Sequence, residues 1–185
     1  MNRRRFLATG LPAMLVAQTP PPAPSPSPEL QPAPAATRTA ALQALRAQPD
    51  VSAQLQMIQD EGAVVDIANA RVLTGRAGTV TVIPLRPAAG ERPVHSQMIV
   101  ERSADGAAPF VYYLGGEGNT PPKPARLFGC SGWGPWRQDG SPYCKQTIYL
   151  CLVKQQSTFI RYVRYKDCKN TTKKDYKVVR QHCGC

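Results

Sequence analysis

The spacing of apolar positions changes along this chain, and each change predicts a different element. Thr39–Ala47 is rich in alanine and leucine and reads as a short helix. Val51–Asp60 reads as a second helix, with Val51, Leu55 and Ile58 on one face, Asp50 as N-cap and Gly62 as the stop. From Ala63 onward the pattern becomes strand-like. Ala63–Ile67, Arg71–Leu73, Thr79–Ile83, Gln97–Glu101 and Phe110–Leu114 are rich in β-branched and aromatic residues, with turn signals at 75–78 and at Asp105-Gly106. Near the C-terminus, Gln146–Val153, Thr158–Tyr165 and Asp175–Arg180 are candidate strands, separated by turn-forming residues at 139–142 and 169–172.

Breaker-rich stretches divide these elements. Residues 18–36 are dominated by proline, alanine and serine and predict an extended, semi-rigid linker. Residues 115–126 form a second joint of glycine and proline. The expected fold class is therefore a small α+β middle domain over residues 37–114. A mostly-β, disulfide-rich C-terminal mini-domain of about three strands follows, over 127–185. Three strands alone bury too little apolar surface to be stable, so cross-links are expected to hold that module together.

Residues 1–17 have the anatomy of a cleaved export signal: a basic start, a short apolar stretch and small residues near the end. At Arg3-Arg4-Arg5-Phe6-Leu7 the sequence resembles the twin-arginine export signal, with Arg3 and Arg4 as the pair and Phe6 and Leu7 as the apolar couple. That resemblance implies passage through the export machinery to the periplasm or the exterior. No later segment is long and apolar enough to span a membrane.

Charge and cysteine sharpen the division. The net charge of +11 is concentrated in residues 126–185, where twelve basic residues face only Asp139, Asp167 and Asp175. Residues 37–125 are neutral, with eight of each sign. The same C-terminal region holds all six cysteines: Cys130, Cys144, Cys151, Cys168, Cys183 and Cys185. In an oxidising compartment they predict a disulfide framework. Cys183 and Cys185 are too close to pair with each other, and the other pairings stay open.

Catalytic chemistry finds little support. The two histidines, His95 and His182, lie in different regions, and no nucleophile motif, phosphate loop or carboxylate pair occurs. No catalytic residue and no cofactor is expected. His182-Cys183-Gly184-Cys185 with Cys144 or Cys168 could supply zinc ligands, but the usual spacing is missing and export favours oxidation, so no metal is expected.

Cationic and aromatic residues interleave instead. Trp133 and Trp136 stand three apart, and Arg161, Arg164 and several tyrosines occupy the predicted strands. Residues 130–168 thereby resemble a thrombospondin type-1 repeat, in which a Trp-x-x-Trp segment stacks on arginines of a neighbouring strand. Here the arginines are three apart rather than two, and six residues separate Cys144 from Cys151. The closing Cys183-Gly184-Cys185 is similar to the end of cystine-knot growth factors. Both resemblances imply extracellular binding. The whole chain resembles, in architecture, exported precursors of cysteine-rich bacteriocin-like peptides: a signal, a neutral pro-region and a cationic C-terminal peptide.

The expected function follows from the charge. A cationic, disulfide-rich module would bind anionic envelope polymers or lipids as an antimicrobial, bacteriocin-like effector. The alternative is a non-toxic adhesion module for acidic glycan or a protein partner. No specific nucleic acid is expected. Lys145, Lys154, Arg161, Arg164, Lys166, Lys169, Lys173, Lys174, Lys177 and Arg180 would supply the charge, with Trp133, Trp136 and the strand tyrosines at the polar–apolar boundary.

Overall fold

The computed structural model describes residues 30–87, 95–115, 132–151, 154–168 and 171–185. The export signal with Arg3, Arg4, Phe6 and Leu7, most of the proline-rich linker, the joint at 116–126, Cys130 and Lys169 lie outside the described residues, as do the side chains of Cys151 and Lys154.

The element order is β1 (Gln31–Pro32), α1 (Ala35–Arg46), α2 (Pro49–Asp60), β2 (Ala63–Val65), β3 (Arg71–Gly75), β4 (Gly78–Pro87), β5 (Gln97–Ser103), β6 (Phe110–Leu114), β7 (Arg137–Gln138), β8 (Tyr143–Cys151), β9 (Lys154–Cys168) and β10 (Thr171–Cys183). The predicted strands are all found near their expected places. Helix α1 begins earlier than expected, inside the linker, because Pro34 needs no N–H partner at the helix start and the alanines after it favour helix. For α2 the cap is Gln48, not Asp50. Pro49 occupies the first turn, and Asp50 sits beside it at the positive end of the helix dipole. Gly62 ends α2 with φ +89°, a conformation glycine adopts without penalty.

The strands form one sheet in the order β1-β3-β4-β5-β6-β10-β9-β7, with β2 added on β4 and β8 on β9. Neighbours pair antiparallel except β6 and β10, which run parallel with Val179 beside Tyr113. This parallel seam overturns the expected fold class. The chain is a mostly-β structure built on one large sheet with two helices, not a small α+β domain followed by a separate three-stranded mini-domain. The physical reason lies at the seam: Val179 and Tyr113 are fully buried against residues from both halves of the chain. Non-local parallel pairing leaves no periodic mark in either strand, so the sequence pattern could not reveal it.

Both faces of the central strands are apolar. On one face α1 and α2 bring Leu45, Val51, Met57 and Ile58 onto Ile83, Leu85, Met98, Val100 and Tyr113, and Trp136 and Val179 join the same core. On the other face Val80, Val82, Ile99, Tyr112 and Phe159 pack together, with Ile148 and Tyr149 against them. The rings of Tyr112 and Phe159 meet edge-on at 5.1 Å. No helix among the described residues is long and apolar enough to cross a membrane.

Segment 147–149 covers this second face because it leaves the regular ladder. The β8–β9 register shifts between Gln146 and Cys151, which frees backbone N–H groups. Those of Ile148 and Tyr149 donate to the buried Glu101 carboxylate at 2.9 and 3.0 Å, and the Tyr112 hydroxyl donates to it at 2.8 Å.

Cys144 and Cys185 form a disulfide that closes a span of 41 residues, with their Cα atoms 5.9 Å apart. Cys168 and Cys183 each take part in a disulfide as well. The 41-residue loop closed by Cys144 and Cys185 contributes roughly 4 kcal/mol by restricting the unfolded chain. The two cores shared with the first half carry the rest of the stability. Cys144→Ser with Cys185→Ser should therefore lower the unfolding free energy by roughly 4 kcal/mol and leave a folded protein. Denaturant unfolding checks this, and complete unfolding of 132–185 in the variant would restore the self-standing, cross-link-dependent module.

Candidate functional site

The cations of the C-terminal region fall into two groups because a strand sends alternate residues to opposite faces. Residues directly opposite in a ladder share a face. Arg164 thus shares a face with Asp175, and Tyr162 with Lys177. This face meets α2 and is buried. Arg161, Val163, Tyr165, Lys174 and Tyr176 occupy the other face, with Arg137 beside Val163.

The inner group is a layered stack. The Arg164 guanidinium lies over the Trp133 ring at 4.6 Å and over the Trp136 ring at 4.7 Å, and Lys177 Nζ lies 4.3 Å from the Trp136 centroid. Its counter-charge comes from the other half of the chain. Glu61, at the end of α2, accepts hydrogen bonds from Trp136 Nε1 and, at 3.2 Å, from Arg164 Nη1. Its second oxygen is 3.6 Å from Lys177 Nζ. Asp175 takes the rest of the Arg164 fork, from Nε at 3.1 Å and Nη2 at 2.9 Å. Gln54 on α2 adds two neutral ties: its side-chain amide donates to the Tyr176 carbonyl at 2.8 Å, and its Oε1 accepts from the Tyr113 hydroxyl at 3.0 Å.

Burial dominates the acid–base character here. It lowers the Lys177 amine to about 8, although the Glu61 carboxylate pulls the other way. Burial also pushes the Tyr113 hydroxyl well above its usual range, with the Glu61 charge adding to it. His95 stacks on Tyr113 at 5.0 Å, and its Nδ1 lies 2.7 Å from the Gly115 carbonyl, which fixes Nδ1 as the protonated nitrogen. Burial, and then the positive charge of Lys177, lower this imidazole to about 4.

That shift carries a sign. The unfolded imidazole binds a proton near pH 6.5, whereas the folded one resists until about pH 4. Its contribution is complete above pH 6.5 and is lost as pH falls from 6.5 towards 4. The loss is on the order of 3 kcal/mol. Denaturant unfolding from pH 7 to pH 4 should show this slope, and His95→Gln should flatten it. An unchanged slope in the variant would remove His95 as the cause.

The outer group faces solvent. Tyr143, Tyr165 and Tyr176 are 37%, 40% and 43% exposed. Arg161 lies over Tyr176 at 5.8 Å, Lys174 over Tyr165 at 5.6 Å and Lys145 over Phe110 at 3.6 Å. Arg161 also pairs with Asp139 at 2.7 Å and stays half-exposed.

The residues expected to meet an anionic surface therefore separate. Lys145, Arg161, Lys173 and Lys174 are exposed, and Lys166 is partly so, 5.7 Å from the Trp133 ring. Arg164 and Lys177 are only 3% and 1% exposed and Trp136 is buried, so all three serve the interior. Arg180 is half-buried, donating to the Tyr149 carbonyl and lying 5.7 Å from the Tyr112 ring. Trp133 is half-buried in the stack. Cys144 and Cys185 are bonded to each other, which removes both sulfurs from the thiolate set that a zinc site would need.

Two contributors escaped the sequence reading. Glu61 lies 103 residues from Arg164, and nothing local marks it as their common anion. Arg137 could be placed only by its pairing with Val163. The tyrosines did carry a signal, since strand alternation puts Tyr165 on the opposite face from Arg164. No protein-family model matches this sequence, and no curated protein or solved structure matches it either.

Proposed function

We propose that this chain is an exported binding protein for anionic envelope polymers, and that its working unit is the whole folded chain. The observation that carries the reading is the outer face of β9 and β10. Arg161, Lys174 and Arg137 stand there beside exposed tyrosines in the most basic region of the sequence. Although Asp139 pairs with Arg161 and Asp167 lies on the same face, cations outnumber acids in this region, and a surface of net positive charge attracts polyanions and concentrates them at short range. The disulfides favour an oxidising compartment, in keeping with the twin-arginine-like N-terminus. The layered Trp133–Arg164–Trp136–Lys177 stack supports a thrombospondin type-1-like reading of residues 130–168, whose implied role is extracellular binding.

Binding is favoured over release of a killing peptide because of Glu61. Detaching the C-terminal region would strip Arg164 and Lys177 of their shared buried anion and expose Trp136 and Val179. The test is retention of the oxidised, full-length protein on an immobilised anionic polymer. Retention should fall steeply with salt. Growth inhibition by the intact protein, without salt-sensitive retention, would favour the effector reading instead.

A further inference from the structure

Resting on that proposed surface, we infer that its ligand is an acidic polysaccharide of the uronate type, bound with sugar rings on the tyrosines and carboxylates on the neighbouring cations. Among the described residues the exposed large hydrophobic side chains are Val64, Tyr143, Tyr165 and Tyr176, and the three tyrosines share one sheet face. Their positions follow from the register. Tyr165 is opposite Lys174, and Tyr176 is opposite Val163, which has Arg137 on its other side. Tyr143 is opposite Phe159. From the Phe159 row to the Tyr165 row the face extends about 20 Å, at about 3.4 Å per residue. That is long enough for several linked sugar rings.

Ring and charge alternate along this face. In a uronic acid the carboxylate is bonded to the pyranose ring, so an apolar C–H face and an anion lie side by side. Tyr176 with Arg161, and Tyr165 with Lys174, offer the matching pair of surfaces. A phosphate polymer offers the charge but no ring face for the tyrosines. An anionic membrane offers the charge too, but the face presents no exposed leucine, isoleucine, phenylalanine or tryptophan among its described residues to insert.

The experiment measures binding of the full-length oxidised protein at low salt to oligogalacturonate, to polyphosphate and to phosphatidylglycerol vesicles. Tyr165→Ala with Tyr176→Ala should weaken oligogalacturonate binding by about tenfold and polyphosphate binding by less than about twofold. Arg161→Gln with Lys174→Gln should weaken both. These side chains are exposed, and an unchanged thermal midpoint confirms an intact fold. If the tyrosine variant loses nothing on oligogalacturonate while the cation variant loses on both, the polysaccharide inference fails and anionic-polymer binding stands. Tighter binding to vesicles than to oligogalacturonate also overturns it, in favour of a membrane surface. No binding to any of the three at low salt sinks the proposed function itself.

Discussion

Glu61→Ala should destabilise the entire chain by roughly 3–5 kcal/mol, the cost of breaking a buried ion pair from one side. Glu61 is the common anion for Arg164 and Lys177, both almost fully buried, and it also accepts the Trp136 indole N–H. Its loss leaves Arg164 with Asp175 alone and Lys177 with no carboxylate in reach among the described ion pairs. Lys177→Met is the informative contrast. The amine is already held below its ordinary range by burial, and a methionine of similar length keeps the contact with Trp136. Its stability at neutral pH should change by less than about 1 kcal/mol, or rise. Chemical denaturation with tryptophan fluorescence reads both variants, since Trp136 sits in the cluster. Equal losses in the two would show that the cluster acts as simple packing and not through its charge.

Glu101→Ala should cost roughly 4 kcal/mol, through three hydrogen bonds to one buried anion. The carboxylate holds the Ile148 and Tyr149 N–H groups and the Tyr112 hydroxyl. Without it, the irregular part of β8 loses its hydrogen bonds to β5 and keeps only its packing and the Arg180 bond to the Tyr149 carbonyl, so the cover over Phe159 and Tyr112 loosens. The expected signature has two parts. Amide protons of Ile148 and Tyr149 should exchange much faster, and the global unfolding midpoint should fall. Protection at those two amides comparable to wild type would mean that the apolar packing of Ile148 and Tyr149 holds the segment alone. Glu101→Gln keeps the shape but offers a neutral acceptor, and should fall between the two.

Both glutamates lie in the charge-neutral stretch of the sequence, and this explains what was legible there. Strand and helix positions could be read because each depends on a local period: Phe110–Leu114 was placed at its observed limits. The cysteine cluster was likewise local, and Cys144 is bonded to Cys185 within it. What could not be read were relations between distant segments. Tyr113 beside Val179, Glu61 between Arg164 and Lys177, and Glu101 under β8 join residues 47 to 116 positions apart. The +9 of residues 126–185 does not form one exposed patch. Strand alternation sends part of it inward, where the first half neutralises it. The same alternation leaves Arg161, Tyr165, Lys174 and Tyr176 outside, so the outer face was half-visible in the sequence once the register was known.

If the two halves are one folding and working unit across the parallel seam of β6 and β10, cutting the chain between them will not part them. A protease site placed within residues 116–126 of the full-length protein tests it directly. After cutting, with the disulfides intact, the two fragments should co-elute under native conditions. They should also unfold in a single transition, and anionic-polymer retention should persist only while they stay together. A C-terminal fragment that separates, keeps its fold and binds the polymer as well as the uncut protein would show two independent units instead.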